Sequence, residues 1–422
     1  MTATERATTA TGRTMTTKRI VGLDVARVVA MFGIIGYHVL KGGGVRDTAE
    51  PWQASYWVAW YLYLLCVAAV DLFALLSGYL GYTKKFYGSY RLIELIFTLF
   101  FWCALITCVL RVATPWHYTS WWDYAVSLCP PIITRYWYIV CYLPVFLLMP
   151  YINLLLHRLT LRQADTFCLM LVTVFSVIPS FTAHDLFRQN IGFSAGWLVV
   201  CYIVGATTRR REIEEAQGGV RLAGADAQLA GADTASDAER QDKTDAHLPA
   251  RLWAGVRDFR LNGVVLFFVL ALVLLGIKWV CITVRDDDWI SIRSYSSPFM
   301  LAMAYVLLQT LRRSFGHAPV WLGRLMAFMA DAAFDVYIIH AHVFIYSVLM
   351  HGAFWWVVNL PLPVIPLFVL GLATAIYLSC AVLAQIRMRV CGTRPVRRLI
   401  GRVSGWLDSW MCPPEWLPAR KG

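Results

Sequence analysis

Long apolar runs, separated by short polar connections, fill the chain from residue 20 to residue 386. An apolar run of about 17 to 25 residues is long enough to cross the hydrocarbon core of a bilayer as an α-helix. By that length the chain contains ten predicted spans, of which the sixth and eighth are short. Their approximate extents are 20–40, 56–82, 90–113, 136–156, 164–182, 194–208, 260–284, 297–312, 326–349 and 362–386. The predicted fold is an all-α, polytopic membrane protein.

Positive charge is distributed unevenly between the two sets of connections that join these runs. The even-numbered connections and the C-terminal tail are rich in Lys and Arg, whereas the opposite connections contain stretches such as "TPWHYTSWWDY" and "VRDDDW". Cytoplasmic loops of membrane proteins carry an excess of Lys and Arg. The pattern therefore predicts that both termini lie in the cytoplasm.

The segment 209–256 departs from the apolar pattern. It consists largely of Ala, Gly, Asp, Arg and Gln, so we expect a disordered cytoplasmic linker that is at most loosely helical. The predicted organisation is then a cytoplasmic N-terminal tail (1–19), spans one to six (20–208), the linker (209–256), spans seven to ten (257–390), and a cytoplasmic or interfacial C-terminal tail (391–422).

Composition and charge agree with a multi-pass membrane protein. Hydrophobic residues make up 59% of the 422 residues and charged residues only 15%. The net charge of +12 comes from the basic connections, so we expect the lipid bilayer as a partner and no nucleic acid. Most of the eleven cysteines lie in apolar runs and none forms a CxxC pair, which predicts buried thiols and no metal site.

Asp24, Arg27 and His38 in the first run share one narrow face of the predicted helix. Arg27 and His38 are eleven residues apart, which is about 16 Å along a helix. A charge in mid-membrane costs about 2.5 to 3.5 kcal/mol and commonly faces protein, a partner or a water-filled cavity. This stripe is therefore a candidate functional site. The structural alternative is an ion pair that anchors the helix end beside an interfacial histidine.

The segment "RIVGLDVARVVAMFGIIGYH" resembles the first span of the acyltransferase 3 family of integral-membrane acyltransferases. In that family an Arg is followed, after ten residues, by a His. Arg27 and His38 have this spacing, and Asp24 matches the "LD" that usually precedes the Arg. Segments similar to later parts of the family follow in order across nearly the whole chain, the linker excepted. They are "AVDLFALLSGYLGY", "RYWYIVCYLPVFLLMPYINLLL", "GFSAGWLVVCYIVGATTRR" and "AFDVYIIHAHVF".

The resemblance implies transfer of an acyl group, usually acetyl from acetyl-CoA, to a hydroxyl of an exported polysaccharide or its lipid-linked precursor at the plasma membrane of a bacterium. It implies no permanently bound cofactor, because acyl-CoA is a donor substrate. His38 is the candidate general base or acyl carrier, with Arg27, Asp24 and His340 as further catalytic candidates. The candidate CoA-binding residues are Arg27, Arg91, Lys84, Lys85, Ser77, Gly78 and Tyr79.

The third span departs from the family pattern. Members often have Arg-x-x-Arg at its start, whereas Glu94 here follows Arg91 at that spacing. No role of the second basic position can therefore be assigned to this chain. Lys84 and Lys85, just upstream, could supply the missing charge.

The ninth span offers two histidines. The resemblance selects His340, from the "VYIIH" segment, whereas helical periodicity selects His342, which shares a face with Asp331 and Asp335. We favour His340 and keep His342 as the alternative.

Trp137 and Tyr138 at the start of the fourth span could form an aromatic platform for a sugar, or could belong to an aromatic belt at the membrane surface. Asp71 in the second span is a candidate to orient His38. A transporter that uses Asp24, Arg27 and His38 as a polar relay is the rival function. No repeat between the two halves supports it, and a sensor or scaffold would leave the stripe unexplained.

Overall fold

A computed structural model of the chain describes residues 6–8, 14–16, 19–83, 89–113, 125, 127–128, 136–182, 187–229, 263–285, 290–316 and 318–411. A short antiparallel hairpin in the N-terminal tail pairs β1 (Arg6–Thr8) with β2 (Thr14–Thr16). The first α-helices are α1 (Val21–Tyr37), α2 (Val45–Thr48), α3 (Ala54–Gly81), α4 (Ser89–Ala113), α5 (Trp137–Arg158), α6 (Leu161–Val172) and α7 (Ile178–Ser180). The remaining ones are α8 (Ala195–Leu229), α9 (Gly263–Val280), α10 (Pro298–Ser314), α11 (Val320–His340), α12 (Val364–Cys391) and α13 (Arg394–Met411).

Short π-helical and 3₁₀ turns join or extend several of these helices. The π-helical turns are His38–Gly42, Thr173–Val177, Cys281–Arg285 and Ile345–Met350. The 3₁₀ turns are Asn190–Gly192, Ile290–Arg293 and Trp355–Asn359.

The predicted all-helical membrane fold is confirmed. Each of the ten predicted spans coincides with a helix of the described chain. In the part of the chain that the structure describes, seven helices are long and apolar enough to cross a membrane, or eight if the bent pair Val320–His340 and Ile345–Asn359 is one span. The two short predicted spans correspond to α8 and α10, which are not among these seven. The number of crossings therefore stays a prediction.

Helix α8 continues well beyond the predicted end of the sixth span. It runs to Leu229, so the first part of the predicted linker is helical. Charge pairs at helical spacing support this extension, because Arg210 lies 2.6 Å from Glu214 and Arg209 lies 3.7 Å from Glu212. The rest of the predicted linker lies outside the described residues.

Helix α3 packs extensively on α1 and α8, and two glycines set its distance from α8. A Cβ atom on Gly78 would overlap the carbonyl oxygen of Tyr202, and a Cβ atom on Gly205 would overlap that of Leu75. Only glycine permits this backbone approach, which is a common way for membrane helices to associate. The pair fixes α3, and with it the position of α1.

Helices α1 and α11 pack against each other, and a histidine stands at the end of each. After Tyr37 the chain enters the π-helical turn that starts at His38, where the amide of Gly43 donates to the carbonyl of His38 at 3.0 Å. Helix α11 ends at His340, and the chain then bends by 73°. Single π-helical turns occur frequently at functional sites. The packing of α1 on α11 brings the two histidines to the same end of the bundle.

Candidate active site

His38 and His340 form a hydrogen-bonded pair. Nδ1 of His38 lies 3.0 Å from Nε2 of His340, and the two ring centroids are 5.0 Å apart. His340 is almost completely buried, with 1% of its surface exposed. His38 is partly buried and lines a cavity. Of the two rings, His38 is therefore the one in contact with the cavity.

The hydrogen bonds of His340 determine which nitrogen of His38 is basic. Nδ1 of His340 lies 2.5 Å from the carbonyl oxygen of Val336 and must donate to it, because a carbonyl only accepts. In neutral His340 the other nitrogen, Nε2, then accepts a hydrogen bond from Nδ1–H of His38. The proton of neutral His38 is thereby placed on Nδ1, which leaves Nε2 with the free lone pair. His340 orients the ring whose Nε2 is able to take a proton.

The cavity at His38, here called the His38 cavity, has a volume of about 230 Å³. Most of its wall is aromatic. Trp137 and Tyr138, the predicted sugar platform, both line it, and the Trp137 ring lies 5.7 Å from that of Tyr295. Lys41, which donates to the Tyr37 hydroxyl at 3.3 Å, adds a positive charge. This cavity combines a basic histidine nitrogen with flat rings and hydroxyl groups.

A second cavity, here called the Arg27 cavity, lies next to the first and has a volume of about 280 Å³. Its wall is mostly apolar, with Arg27 and Ser77 among the few polar residues that line it. Ile34, Tyr138 and Tyr337 line both cavities, and the rings of the two tyrosines are 6.4 Å apart. These three side chains are therefore the common boundary between the arginine and the histidine of the predicted stripe.

Asp24 is held mainly by Arg19, a residue that the sequence pattern does not single out. Arg19 makes two hydrogen bonds to the Asp24 carboxylate, at 2.5 and 3.0 Å, whereas Arg27 lies 3.6 Å from it. Arg19 also reaches Asp331 at 2.8 Å. Since another cation neutralises much of the charge of Asp24, the guanidinium of Arg27 keeps the capacity to bind an anion. Arg91 is close enough to act electrostatically on Arg27.

A comparison with known families shows the family of the chain. A family model described as "Acyltransferase domain" matches residues 20–384, which is most of the chain. The chain belongs to the acyltransferase 3 family. No match is found among curated proteins or among solved structures. The protein is a multi-pass membrane acyltransferase, and both histidines of the pair lie within the matched region.

The three residues of the "SGY" segment occupy different environments in this acyltransferase. Ser77 lines the Arg27 cavity and accepts a hydrogen bond from the Tyr142 hydroxyl at 3.1 Å. Gly78 and Tyr79 do not line it. Gly78 provides the contact between α3 and α8, and the Tyr79 hydroxyl donates to Glu212 at 2.6 Å. Ser77 is therefore the member of the segment placed where a donor could contact it.

The carboxylates considered as partners of the histidines bind other groups. Asp71 is fully buried and accepts from Nε1 of Trp197 at 2.9 Å. Asp335 pairs with Arg387 and accepts from Nε1 of Trp102 at 2.7 Å. The residue that orients His38 is thus His340, and Asp71 does not contact the pair.

His342, the alternative to His340, is also buried but is not among the residues that line the His38 cavity. Its Nδ1 accepts a hydrogen bond from the amide of Phe344 at 3.3 Å. Among the described residues, no group of three or more His, Cys, Asp or Glu side chains could hold a metal ion. Lys84 and Lys85 lie outside the described residues, so their predicted role stays a prediction.

Sequence reasoning missed several residues that complete the site. Tyr37 and Lys41 flank His38 and could have been found from their position on the same turn. Phe193 and Tyr295 come from connections far away in the chain and carry no sequence signal that links them to His38. They close the aromatic wall of the His38 cavity from the opposite side.

Proposed function

We propose that this acyltransferase transfers an acyl group, usually acetyl, from acyl-CoA to a hydroxyl of an exported polysaccharide or its lipid-linked precursor. The observation that carries the proposal is the adjacency of two unlike cavities. One contains an arginine that can bind an anion, and the other contains a histidine whose partner leaves Nε2 basic. Donor and acceptor are proposed to meet at His38 from the two sides.

Arg27 is proposed to bind a phosphate of CoA by charge-assisted hydrogen bonds, with Arg91 adding to the positive potential. The apolar wall of the Arg27 cavity suits the uncharged arm of CoA, which carries the acyl thioester. The arm would have to pass Tyr138 and Tyr337 to reach His38. The distance of about 16 Å between Arg27 and His38 along the helix separates phosphate binding from chemistry.

In the His38 cavity the acceptor sugar is proposed to lie against Trp137 and Tyr138. Nε2 of His38 removes the proton of the acceptor hydroxyl while the oxygen attacks the thioester carbonyl. The C–O bond forms, the C–S bond breaks, and the CoA thiolate leaves and takes up a proton. His340 accepts the hydrogen bond from Nδ1–H of His38 and stabilises the imidazolium that forms.

A two-step route uses the same nitrogen as a nucleophile. Nε2 of His38 would attack the thioester, release CoA and hold the acyl group until the acceptor hydroxyl takes it. The two routes are separated by incubating the enzyme with labelled acetyl-CoA without acceptor. Stoichiometric, acid-quenched label on the protein that is absent from His38→Ala indicates the two-step route.

The experiment that tests the function uses the purified protein, labelled acetyl-CoA and the polysaccharide of the source cell. Transfer of label to polysaccharide by the wild type and its loss in His38→Ala support acyl transfer. The control is the amount of His38→Ala protein inserted in the membrane, which should equal that of the wild type. Full modification of the polysaccharide in cells that carry only His38→Ala would refute the assignment of His38.

A separate test shows whether the Arg27 cavity lies toward the cytoplasmic face of the membrane, where CoA is supplied. Trp52, in the connection between α2 and α3, is 80% exposed and lies toward the His38 end. In a background with Cys108→Ser and Cys129→Ser, Trp52→Cys should react with a membrane-impermeant maleimide added to intact cells, whereas Arg158→Cys at the other end of the bundle should not. The reverse labelling pattern would place the Arg27 cavity on the outside, where CoA is not supplied.

A further inference from the structure

A third cavity adjoins the His38 cavity and is here called the Arg46 cavity after one of its cations. Its volume is about 380 Å³. It shares Tyr37, Lys41, Phe193 and Tyr295 with the His38 cavity. None of its described lining residues belongs to the Arg27 cavity. The Arg46 cavity therefore adjoins the cavity that holds the acceptor in the proposed function, and not the cavity that holds the donor.

Positive charge is concentrated in this cavity. Lys41, Arg46 and Arg293 line it, and Asp47 is the carboxylate among its described lining residues. Arg46 lies 2.5 Å from Asp47, whose own side chain is half exposed. The Arg293 residue is buried, with 7% of its surface exposed. An anion that enters a cavity lined by Lys41 and Arg46 is stabilised by their positive charge.

Aromatic rings pack against Arg46 and Arg293, and also against a further cation nearby, Lys278. The guanidinium carbon of Arg46 lies 4.5 Å from the ring centre of Tyr63 and 4.7 Å from that of Trp60. That of Arg293 lies 4.9 Å from the Trp60 ring, and Nζ of Lys278 lies 3.8 Å from it. A guanidinium packed against aromatic rings is held in place, and its N–H groups can bind a carboxylate or phosphate.

We propose that the Arg46 cavity binds an anionic group of the acceptor, a carboxylate or a phosphate, and so holds a neighbouring sugar hydroxyl at His38. The proposal rests on the proposed function and adds the substrate class, because it makes the acceptor an acidic glycan or a phosphate-linked one. Guanidinium groups bind the anion, while the aromatic wall shared with the His38 cavity contacts the sugar ring. A neutral sugar would gain only the second set of contacts.

The test measures equilibrium binding rather than turnover. The purified full chain, in nanodiscs of neutral phosphatidylcholine, is titrated with glucose, glucuronate and glucose 1-phosphate. At least one of the two anions should bind about tenfold tighter than glucose, as expected for one added charge-assisted contact. A preference for glucuronate indicates an acidic sugar, and a preference for glucose 1-phosphate indicates a phosphate-linked carrier. The His38→Ala protein should show the same preference.

Variants locate the effect. Arg46→Gln should remove the preference for the anion and leave the binding of glucose unchanged. Arg158→Gln, an exposed arginine at the far end of α5, is the matched control and should change neither. Lys41→Gln provides a second variant at an exposed position, where folding is not at risk, and should weaken anion binding severalfold.

Equal binding of the three sugars, or no binding of either anion, would overturn the proposal. An anion preference that survives in both Arg46→Gln and Lys41→Gln would overturn it as well. Neither result bears on acyl transfer itself, which fails separately if the His38→Ala protein still transfers label. The two failures are thus distinguishable.

Discussion

The Arg27 cavity and the His38 cavity lie side by side, yet different kinds of side chain line them. The first is mostly apolar, and Arg27 stands out as its cation; the second is mostly aromatic and contains the basic nitrogen of His38. Arg27 is left able to bind an anion, because Arg19 neutralises much of the charge of Asp24. The ring of His38 is oriented by its hydrogen bond to His340. The difference assigns donor binding to one cavity and proton transfer to the other.

The largest effect is expected at the catalytic nitrogen. His38→Ala should lower the rate of acyl transfer by about a hundredfold to ten-thousandfold, the usual contribution of a positioned base. The measurement is the transfer of label from acetyl-CoA to polysaccharide at saturating donor. A loss smaller than tenfold would mean that the base lies elsewhere.

The residue that positions His38 should matter next. His340→Ala leaves Nδ1–H of His38 without its acceptor, and transfer should fall by about ten- to a hundredfold, mostly in kcat. His340→Gln keeps an acceptor and should recover part of the rate. His342→Ala is the control, because His342 is equally buried but its Nδ1 binds the amide of Phe344. Equal losses in His340→Ala and His342→Ala would indicate a merely structural role for both.

The KM for acetyl-CoA should change on substitution of Arg27 or of its neighbour Arg19. Arg27→Gln should raise the KM for acetyl-CoA by about tenfold, the loss of one charge-assisted hydrogen bond, and leave kcat nearly unchanged. Arg19→Gln should raise the KM less, because Asp24 would then pair with Arg27. Steady-state kinetics with varied acetyl-CoA measure both effects. A fall in kcat at constant KM in Arg27→Gln would contradict the division of roles.

The smallest effect on transfer is expected at Gly78. Gly78→Ala should destabilise the protein by about 1 to 3 kcal/mol, because its Cβ atom would overlap the carbonyl oxygen of Tyr202. The folded fraction should keep its KM for acetyl-CoA. Thermal unfolding in detergent measures the stability, and Gly276→Ala is the control, because a Cβ atom there meets nothing within 4 Å. Unchanged thermal stability of Gly78→Ala with a raised KM for acetyl-CoA would indicate that Gly78 contacts the donor.

Local pattern predicts the apolar helices and the polar stripe, but not helix α13, which lies in the segment assigned to the C-terminal tail. Apolar run length places each predicted span on an observed helix, because a bilayer demands that length whatever the tertiary contacts. The composition of 209–256 predicts a disordered or at most loosely helical linker and so misses the regular helix that continues to Leu229, although Arg210 and Glu214 have helical spacing.

The features of the site that local pattern does not predict depend on contacts between residues far apart in the sequence. His38 and His340 are 302 residues apart, so no periodicity within one span pairs them; the family resemblance selected His340, whereas periodicity favoured His342. Arg19 lies outside the first apolar run and its hold on Asp24 is visible only in three dimensions. Gly78 and Tyr79 belong to the predicted donor motif, and the structure adds their contacts with α8: Gly78 packs on Tyr202 and the Tyr79 hydroxyl donates to Glu212. Their role in donor binding stays a prediction.

The separation of donor binding from chemistry is tested most directly by the affinity of His38→Ala for CoA. Equilibrium titration of purified wild type and His38→Ala with CoA should give the same Kd, while only the wild type transfers acetyl groups. Arg27→Gln, measured beside them, should bind CoA about tenfold more weakly. If His38→Ala loses CoA binding as Arg27→Gln does, the two cavities act as one binding site and the account is wrong.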